Sequence, residues 1–477
     1  MKSIILRQNF WLVPLVLIGF HLGQYEVNSL SSSSWSTIES KTFVKKGFAP
    51  LTVCHENDDM HKHILENQKE KQSILFYRDV NCICPYTESI WLALEHKNVM
   101  GHVITVLSES LDTVPRMEWP DGTIETDSMT ILESIESKFG GNDDDTTDLY
   151  PKVSGSVDGV RANVVRFNGV PPTYSGVFPR HVDLQNKYAP FLYRRVDKTN
   201  VEDTNYEPVQ LSNHMVSIEE ADEMLEEYED GPFFCGNVIT AADLVWLPFM
   251  ERYAVQLPLL TFPNVRKGFI LNPKSTDSYP AIAEWFHAIQ QQLPSYLCRI
   301  CGDTRMWSQA LQIGIDYQQQ KATNKEDFVT LSTTMSTNSA AAPWKCPKHI
   351  NVMNLWKQYA EDRPYVAETP VKECVSFLLQ NREILKEQIQ TDNANLNEND
   401  VDDALRELCN FLLQHENDEF FWGGPGLDDS VYNKLSGNAR DALASIDQYI
   451  LVPRDMGIIP STVIRSLAKV SLRPRIK

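Results

Sequence analysis

The segment from Ser73 to His96, SILFYRDVNCICPYTESIWLALEH, constrains the fold more than any other stretch of the 477-residue chain. A short apolar run, Ile74-Leu75-Phe76-Tyr77, ends in a polar loop. Cys84-Pro85 then opens a segment whose apolar residues Ile90, Trp91 and Leu94 recur at helical spacing. The pattern predicts a strand, a loop, a cysteine and a helix. Proline is favoured at the first helical position, where its missing N–H has no partner to lose. Cys84 therefore falls at the N-cap, where unpaired backbone N–H groups and the positive end of the helix dipole favour a thiolate over a thiol.

The residues that follow extend the pattern. Val103 to Leu107 is a second β-rich run, and Val114-Pro115 opens a third element that turns at Pro120-Asp121-Gly122. Pro-Asp-Gly between Met117-Glu118-Trp119 and Ile124-Glu125-Thr126 predicts a hairpin, because Pro presets one turn dihedral and Gly accepts another. Asp127-Ser128 then caps a helix with Ile131, Leu132 and Ile135 on one face. The expected order is βαβ, hairpin, helix.

Gly140 to Asn213 is irregular and rich in turn formers. After it, the turn Gly231-Pro232-Phe233-Phe234-x-Gly236 leads into Thr240-Ala-Ala-Asp243, a capping box in which the Thr hydroxyl and the Asp carboxylate each take a free N–H of the helix start. Asp243 is thus read as a folding residue. From Ile350 onward amphipathic helices are expected over Val352 to Tyr359, Val371 to Ile389, Asp400 to His415, Ala439 to Ile450 and Ser461 to Val470, forming a small bundle or an extra layer. Cys298-x-x-Cys301 and Cys346-x-x-His349 have the spacing of metal-binding pairs. A long Ser/Thr/Ala-rich segment separates them and Cys298 lies where a helix ends, so no metal is expected.

CPYTESIWLALEHKNV, TVP and DSMTILESIESKF, in this order and separation, are similar to the thioredoxin-fold domain of the glutathione transferases. Within that superfamily the chain resembles the cysteine-type classes called omega, lambda and dehydroascorbate reductase. The Thr240 to Asp243 box resembles the capping box of the family's core helix, and Tyr279-Pro280-Ala281-Ile282-x-x-Trp285 resembles its later helix. The resemblance implies an α/β thioredoxin-like N-terminal domain and an all-α C-terminal domain, followed here by an α-helical extension. Boundaries are expected at 71–140 for the first domain, 150–305 for the second with an insertion at 168–215 and a helix near Gly155 to Phe167, 306–349 for a linker and 350–477 for the extension.

The resemblance further implies that Cys84 is the catalytic, mixed-disulfide-forming thiol, with Pro85 and Tyr86 beside it in the glutathione site. Pro115 would be cis and present the backbone of Val114 to the cysteinyl amide of glutathione. Ser128 would hold the γ-glutamyl carboxylate at a helix start, and Asp127 the ammonium. The chain has Asp127 where the family commonly has Glu, and Ser89 where it commonly has Arg. Cys82 is either a resolving thiol or a loop cysteine without a role.

A cysteine in this place implies thiol transfer, deglutathionylation or dehydroascorbate reduction, with glutathione as cosubstrate and a small electrophilic or disulfide substrate. A conjugating transferase or peroxidase, and a non-catalytic binding protein on the same fold, are the rival readings. A homodimer is the family's common assembly. With 44 Lys plus Arg against 64 Asp plus Glu, the net charge of −20 opposes nucleic-acid binding. Nine irregularly spaced cysteines are unlike a secreted disulfide framework.

Residues 1–29 read as a signal peptide, with Lys2 and Arg7 ahead of an apolar run from Phe10 to Leu22 and a cleavage site after Ser29. That run is short for a bilayer span of about 20 residues, so no stable membrane insertion is expected after processing. Residues 30–50 are hydroxyl-rich and basic, which is transit-peptide or linker composition and not that of a folded element. Together they resemble the bipartite presequence of algae whose plastid lies inside an endomembrane. Secretion is the alternative destination. A thiolate fed by reduced glutathione needs a reducing compartment, which favours the plastid.

Overall fold

The computed structural model describes residues 33–45, 47–71, 73–140, 147–150, 221–223, 225–226, 231–256, 279–310, 344–422 and 434–471. Helix α1 (Trp35–Thr42) precedes a five-stranded sheet made of β1 (Val53–His55), β2 (Ile74–Asp79), β3 (Val103–Ser108), β4 (Arg116–Glu118) and β5 (Ile124–Glu125). The strands lie in the order β1-β3-β2-β4-β5. β1 and β2 both run parallel to β3, while β2–β4 and β4–β5 are antiparallel. All six residues of β2 are buried, as befits a strand covered on both faces. This is a thioredoxin-like sheet with one strand added at the β3 edge.

The added strand and the helix after it, α2 (Asp59–Lys71), lie ahead of residue 71, so that domain boundary falls too late. β1 is three residues long, too short for alternation to reveal it, and it exists through its pairing of Val53 with Thr105 and Cys54 with Val106. The hairpin turn is as expected: the Gly122 N–H donates to Trp119 O at 2.9 Å with Gly122 at φ 88°.

Helix α3 (Pro85–His96) is the centre of the molecule. Its residues from Thr87 to Glu95 are all buried. It packs on β2, on α4 (Ser128–Phe139), on α5 (Ala241–Gln256) and on a π turn at Tyr296–Ile300. Two carboxylates, Glu88 and Glu95, sit seven residues apart and so on one face. Arg252 of α5 pairs with Glu88 at 2.7 Å. Glu95 accepts from the Tyr359 hydroxyl at 3.2 Å, the Tyr365 hydroxyl at 3.1 Å and Arg363 Nε at 3.3 Å.

Those last three residues belong to the C-terminal extension, which is not a detached bundle. One hydrophobic cluster runs from α3 through α5 and α6 (Pro280–Gln292) into α7 (Val352–Ala360), α8 (Pro370–Gln380), α9 (Arg382–Asp392), α10 (Glu398–Gln414), α11 (Gly437–Tyr449) and α12 (Ile458–Ser471). The helix expected over Val371 to Ile389 is two helices, α8 and α9. They break at Asn381, whose backbone N–H and side-chain amide both donate to Phe377 O. Residues 304–310, placed in the expected linker, are helical and bury Met306, Trp307 and Ala310 against Ile83, Val255 and Leu451.

The reading of residues 30–50 as unfolded presequence also needs correction. Trp35–Thr42 is a helix capped by Ser34, and it packs on α8 and α10 with Ile38 fully buried. Trp35 Nε1 donates to Asp402 at 3.1 Å, and Lys45 Nζ donates to the carbonyls of Ala360 at 2.6 Å and Arg363 at 2.7 Å. Hydroxyl-rich composition hid three anchoring side chains, Trp35, Ile38 and Lys45, that only the distant C-terminal helices can receive. The signal peptide at 1–29, the helix near 155–167 and the insertion at 168–215 lie outside the described residues.

Replacing Ile38 with Ala is expected to lower unfolding stability by about 2–5 kcal/mol, the usual cost of emptying a buried aliphatic site. Chemical denaturation checks this, since a loose presequence would leave the midpoint unmoved.

Candidate functional site

The site begins at the end of β2, where Asp79 gathers the loop that follows. Its carboxylate accepts from Ile83 N at 2.8 Å and from Cys84 N at 3.1 Å, and its carbonyl accepts from Cys82 N at 3.3 Å. Wrapping the chain around one carboxylate holds Cys82 at φ 56°, the left-handed region that side chains seldom adopt. Cys84 follows as the N-cap of α3 in an extended conformation, with Pro85 at the first helical position.

The charge balance at Cys84 differs from the dipole argument alone. Burial pushes the thiol up from its ordinary value. The Thr87 hydroxyl and the backbone N–H groups of Thr87 and Tyr86 pull it down, and the Asp79 carboxylate pushes it up further. The helix start thus supplies the expected donors, but desolvation outweighs them in the resting protein.

Cys82 is buried beneath the loop, with its sulfur against Arg78 Nη1. The Arg78 guanidinium lies 5.2 Å from the centre of the Trp91 ring and donates to Asp79 O at 3.2 Å. Burial pushes the Cys82 thiol up to about 12 even with Arg78 beside it. Cys82 and Cys84 line one small cavity together with Arg78, Asp79, Thr87, Glu88, Trp91 and Pro453. Its volume is about 10 Å³, roughly the room needed for a single water. Pro453 reaches it from the turn between α11 and α12. That turn is held by Arg454, which donates to both oxygens of Asp455 at 2.8 Å, and by Leu451 N, which donates to the same carboxylate at 2.9 Å.

Around this centre the other sequence-predicted residues take definite places. Tyr86 is exposed and meets Phe249 edge-on, with ring centres 5.6 Å apart. Ser89 turns its hydroxyl back to Tyr86 O at 2.8 Å. In place of a cation at residue 89, the chain brings Arg252 from α5, which donates to Ile83 O at 3.2 Å.

The Val114–Pro115 peptide is cis. Register places it: Tyr77 opposes Arg116, so Pro115 falls beside Arg78, and Met117 opposes Glu125, so Asp127 falls on the other side of Pro115. The end of β2, the cis turn and the start of α4 therefore share one end of the sheet. Asp127 is the N-cap of α4 and accepts from Thr130 N at 2.9 Å. Ser128 is half-buried at the first helical position, where the backbone N–H has no intrahelical acceptor.

Thr240 and Asp243 are fully buried and structural, with one change to the expected box. The Asp243 carboxylate accepts from Thr240 N at 2.9 Å, Phe234 N at 3.1 Å and Trp285 Nε1 at 2.9 Å, while the Thr240 hydroxyl donates to it at 3.0 Å and does not take a backbone N–H. Cys298 and Cys301 are buried, Cys346 sits beside the Pro347 and Ile350 carbonyls, and His349 stacks on His287. Among the described residues, no three His, Cys, Asp or Glu side chains gather as a metal site would need.

Sequence reasoning missed Asp79, Arg78, Thr87, Arg252 and Pro453. The first two stand at the end of β2 and carried a local signal, a charged pair closing an apolar strand. Arg252 and Pro453 had none, because they arrive from 168 and 369 residues beyond Cys84 in the chain. A larger cleft of about 380 Å³ opens at the opposite end of α3, lined by Glu95, His96, Asn237, Ser295 and Arg363 among others, far from either sulfur along the helix.

No family model and no curated protein matches the chain. The solved structures it is similar to are glutathione transferases. The trimeric glutathione transferase TDR1 of Leishmania is 15% identical with a TM-score of 0.37, over 51% of this chain and 49% of that one, so the match spans about half of each. Glutathione transferase Omega 3C of Trametes versicolor is 15% identical with a TM-score of 0.31, over 48% of this chain and 90% of that one. A glutathione transferase homolog of Drosophila mojavensis with bound glutathione is 17% identical with a TM-score of 0.30, over 52% of this chain and 97% of that one.

Asp79→Asn removes the negative charge that raises the Cys84 thiol, so the apparent pKa of Cys84 should fall. The rate of alkylation at Cys84, followed against pH, should turn on at lower pH in the variant than in the parent protein.

Proposed function

We propose that the protein is a glutathione-dependent thiol transferase or reductase of the cysteine type. The observation that carries this reading is the alignment of three features at one end of a thioredoxin-like sheet: Cys84 at the N-cap of α3, the cis Val114–Pro115 turn and the start of α4. Each answers one part of a tripeptide thiol. Unpaired N–H groups stabilise sulfur charge at Cys84, the Val114 backbone offers a strand-like pairing to the central amide, and the N–H and hydroxyl of Ser128 receive a carboxylate.

In this mechanism the Cys84 thiolate attacks the glutathione sulfur of a glutathionylated substrate. Its sulfur becomes joined to glutathione in a mixed disulfide, and the substrate leaves reduced. The resting thiol is held up by burial, so the attacking thiolate forms most readily when a substrate brings its own polar groups to the helix start. All nine cysteines, which all lie among the described residues, are free thiols. That state suits a reducing compartment, and the plastid of an alga with an enclosed plastid is the proposed destination. With Trp35 to Thr42 folded into the protein, processing falls ahead of Trp35 in this reading.

A second reading is favoured by the small cavity and the raised Cys84 thiol: a binding protein that keeps the fold and holds glutathione without turnover. Activity separates the two. Cys84→Ser should abolish reduction of a glutathionylated peptide while leaving the protein folded and retained on immobilised glutathione. Equal activity in the two proteins would remove Cys84 from the mechanism, and absence of activity in the parent protein with retention intact would favour binding alone. Ser128→Ala should raise the KM for glutathione by about tenfold, the worth of one charge-assisted hydrogen bond of ~1.5 kcal/mol, with kcat little changed.

A further inference from the structure

We propose that Cys82 is the resolving thiol of the site, so that the mixed disulfide at Cys84 collapses to an intramolecular Cys82–Cys84 disulfide. The inference rests on the reading of Cys84 as the mixed-disulfide-forming thiol and adds the step that follows.

Three observations converge on Cys82. Its sulfur and that of Cys84 line the same cavity, on the inner side of the loop that Asp79 gathers. Cys82 is buried at φ 56°, a left-handed position that glycine or asparagine more ordinarily takes. The Arg78 guanidinium lies directly on the Cys82 sulfur, with its own face over Trp91, which is the partner a developing thiolate needs in a buried place.

The cavity also bears on what can reach the Cys84 sulfur from within. Its volume is about 10 Å³, and Pro453, next to the Arg454–Asp455 pair, lines it with both cysteines. A space of that volume admits no second glutathione, whose productive attack falls instead on the outer, glutathione sulfur of the mixed disulfide. Displacement at a disulfide sulfur proceeds by attack of a thiolate on one sulfur as the other departs. Within the cavity, the thiol that shares the lining with Cys84 is that of Cys82.

The step balances. The Cys82 Sγ–Cys84 Sγ bond forms, the bond from Cys84 Sγ to the glutathione sulfur breaks, and the departing glutathione takes the proton that Cys82 loses. In this step the Cys82 sulfur passes from the thiol to the disulfide level and the glutathione sulfur from the disulfide to the thiol level, while Cys84 stays at the disulfide level. Over both steps the cysteine pair gives up two electrons, which reduce the glutathionylated substrate to its thiol and free glutathione. Two external reduced glutathiones, leaving as glutathione disulfide, or one external dithiol, leaving as its own disulfide, then reopen the cysteine pair.

The test uses the full chain and its Cys82→Ser and Cys84→Ser variants, each exposed to oxidised glutathione, quenched in acid, alkylated and mapped by peptide mass. Cys82→Ala serves as a second check, and thermal unfolding shows that each variant is folded. In the parent protein, the peptide spanning residues 73–97 should lose two hydrogens and resist alkylation at both cysteines. Cys82→Ser and Cys82→Ala should instead accumulate a glutathione adduct at Cys84, about tenfold above the parent level. Cys84→Ser should carry no adduct at Cys82. Equal adduct levels in the parent protein and both Cys82 variants would overturn the resolving role and leave Cys84 as a single-thiol centre. No adduct at Cys84 in either folded Cys82 variant would overturn the reading of Cys84 itself.

Discussion

Glu88 and Glu95 lie two turns apart on a helix buried on every side, and neither carboxylate can stay there without a cation. Burial drives both toward the neutral acid, and Arg252 and Arg363 draw both back toward the charged form. Removing either arginine would leave a lone buried carboxylate, a loss typically of about 3–5 kcal/mol. Arg252 comes from the helical domain and Arg363 from the extension. These two pairs therefore tie the helical domain and the extension to α3, and α3 carries Cys84 at its start.

That dependence shapes the chemistry available at the sulfur. The same packing that aims α3 at Cys84 desolvates the thiol, and burial wins over the N–H groups of Thr87 and Tyr86. The loop geometry costs the site in a second way. Asp79 holds Ile83 and Cys84 in place by their N–H groups, yet it brings a negative charge close to the Cys84 thiol. Positive charge is present, but it sits one residue pair inward, where Arg78 meets Cys82. The extension contributes to the same place, because Pro453 lines the cavity with Cys82 and Cys84.

The elements that sequence alone located are those governed by local rules. The run Ile74 to Tyr77, the Cys84-Pro85 junction, the Pro120 to Gly122 turn, the Asp127 cap and the Thr240 to Asp243 box each hold their physics within a few residues. The failures share a different cause. β1 is too short to show a period, and α1 looks like a presequence until Ile38 is seen between α8 and α10.

By itself the sequence determined that a cysteine would stand at a helix start behind a β-rich run, beside a proline turn and a second capped helix. Hydrophobic periodicity and capping chemistry act over a turn or two of chain, so these features were legible in order and place. The tertiary structure alone decided what surrounds the sulfur. Arg252 and Pro453 are distant in the chain, and their arrival determines burial, the sign of the thiol's shift and the size of the space beside it. Desolvation and cavity volume belong to no local segment, because they depend on which surfaces meet.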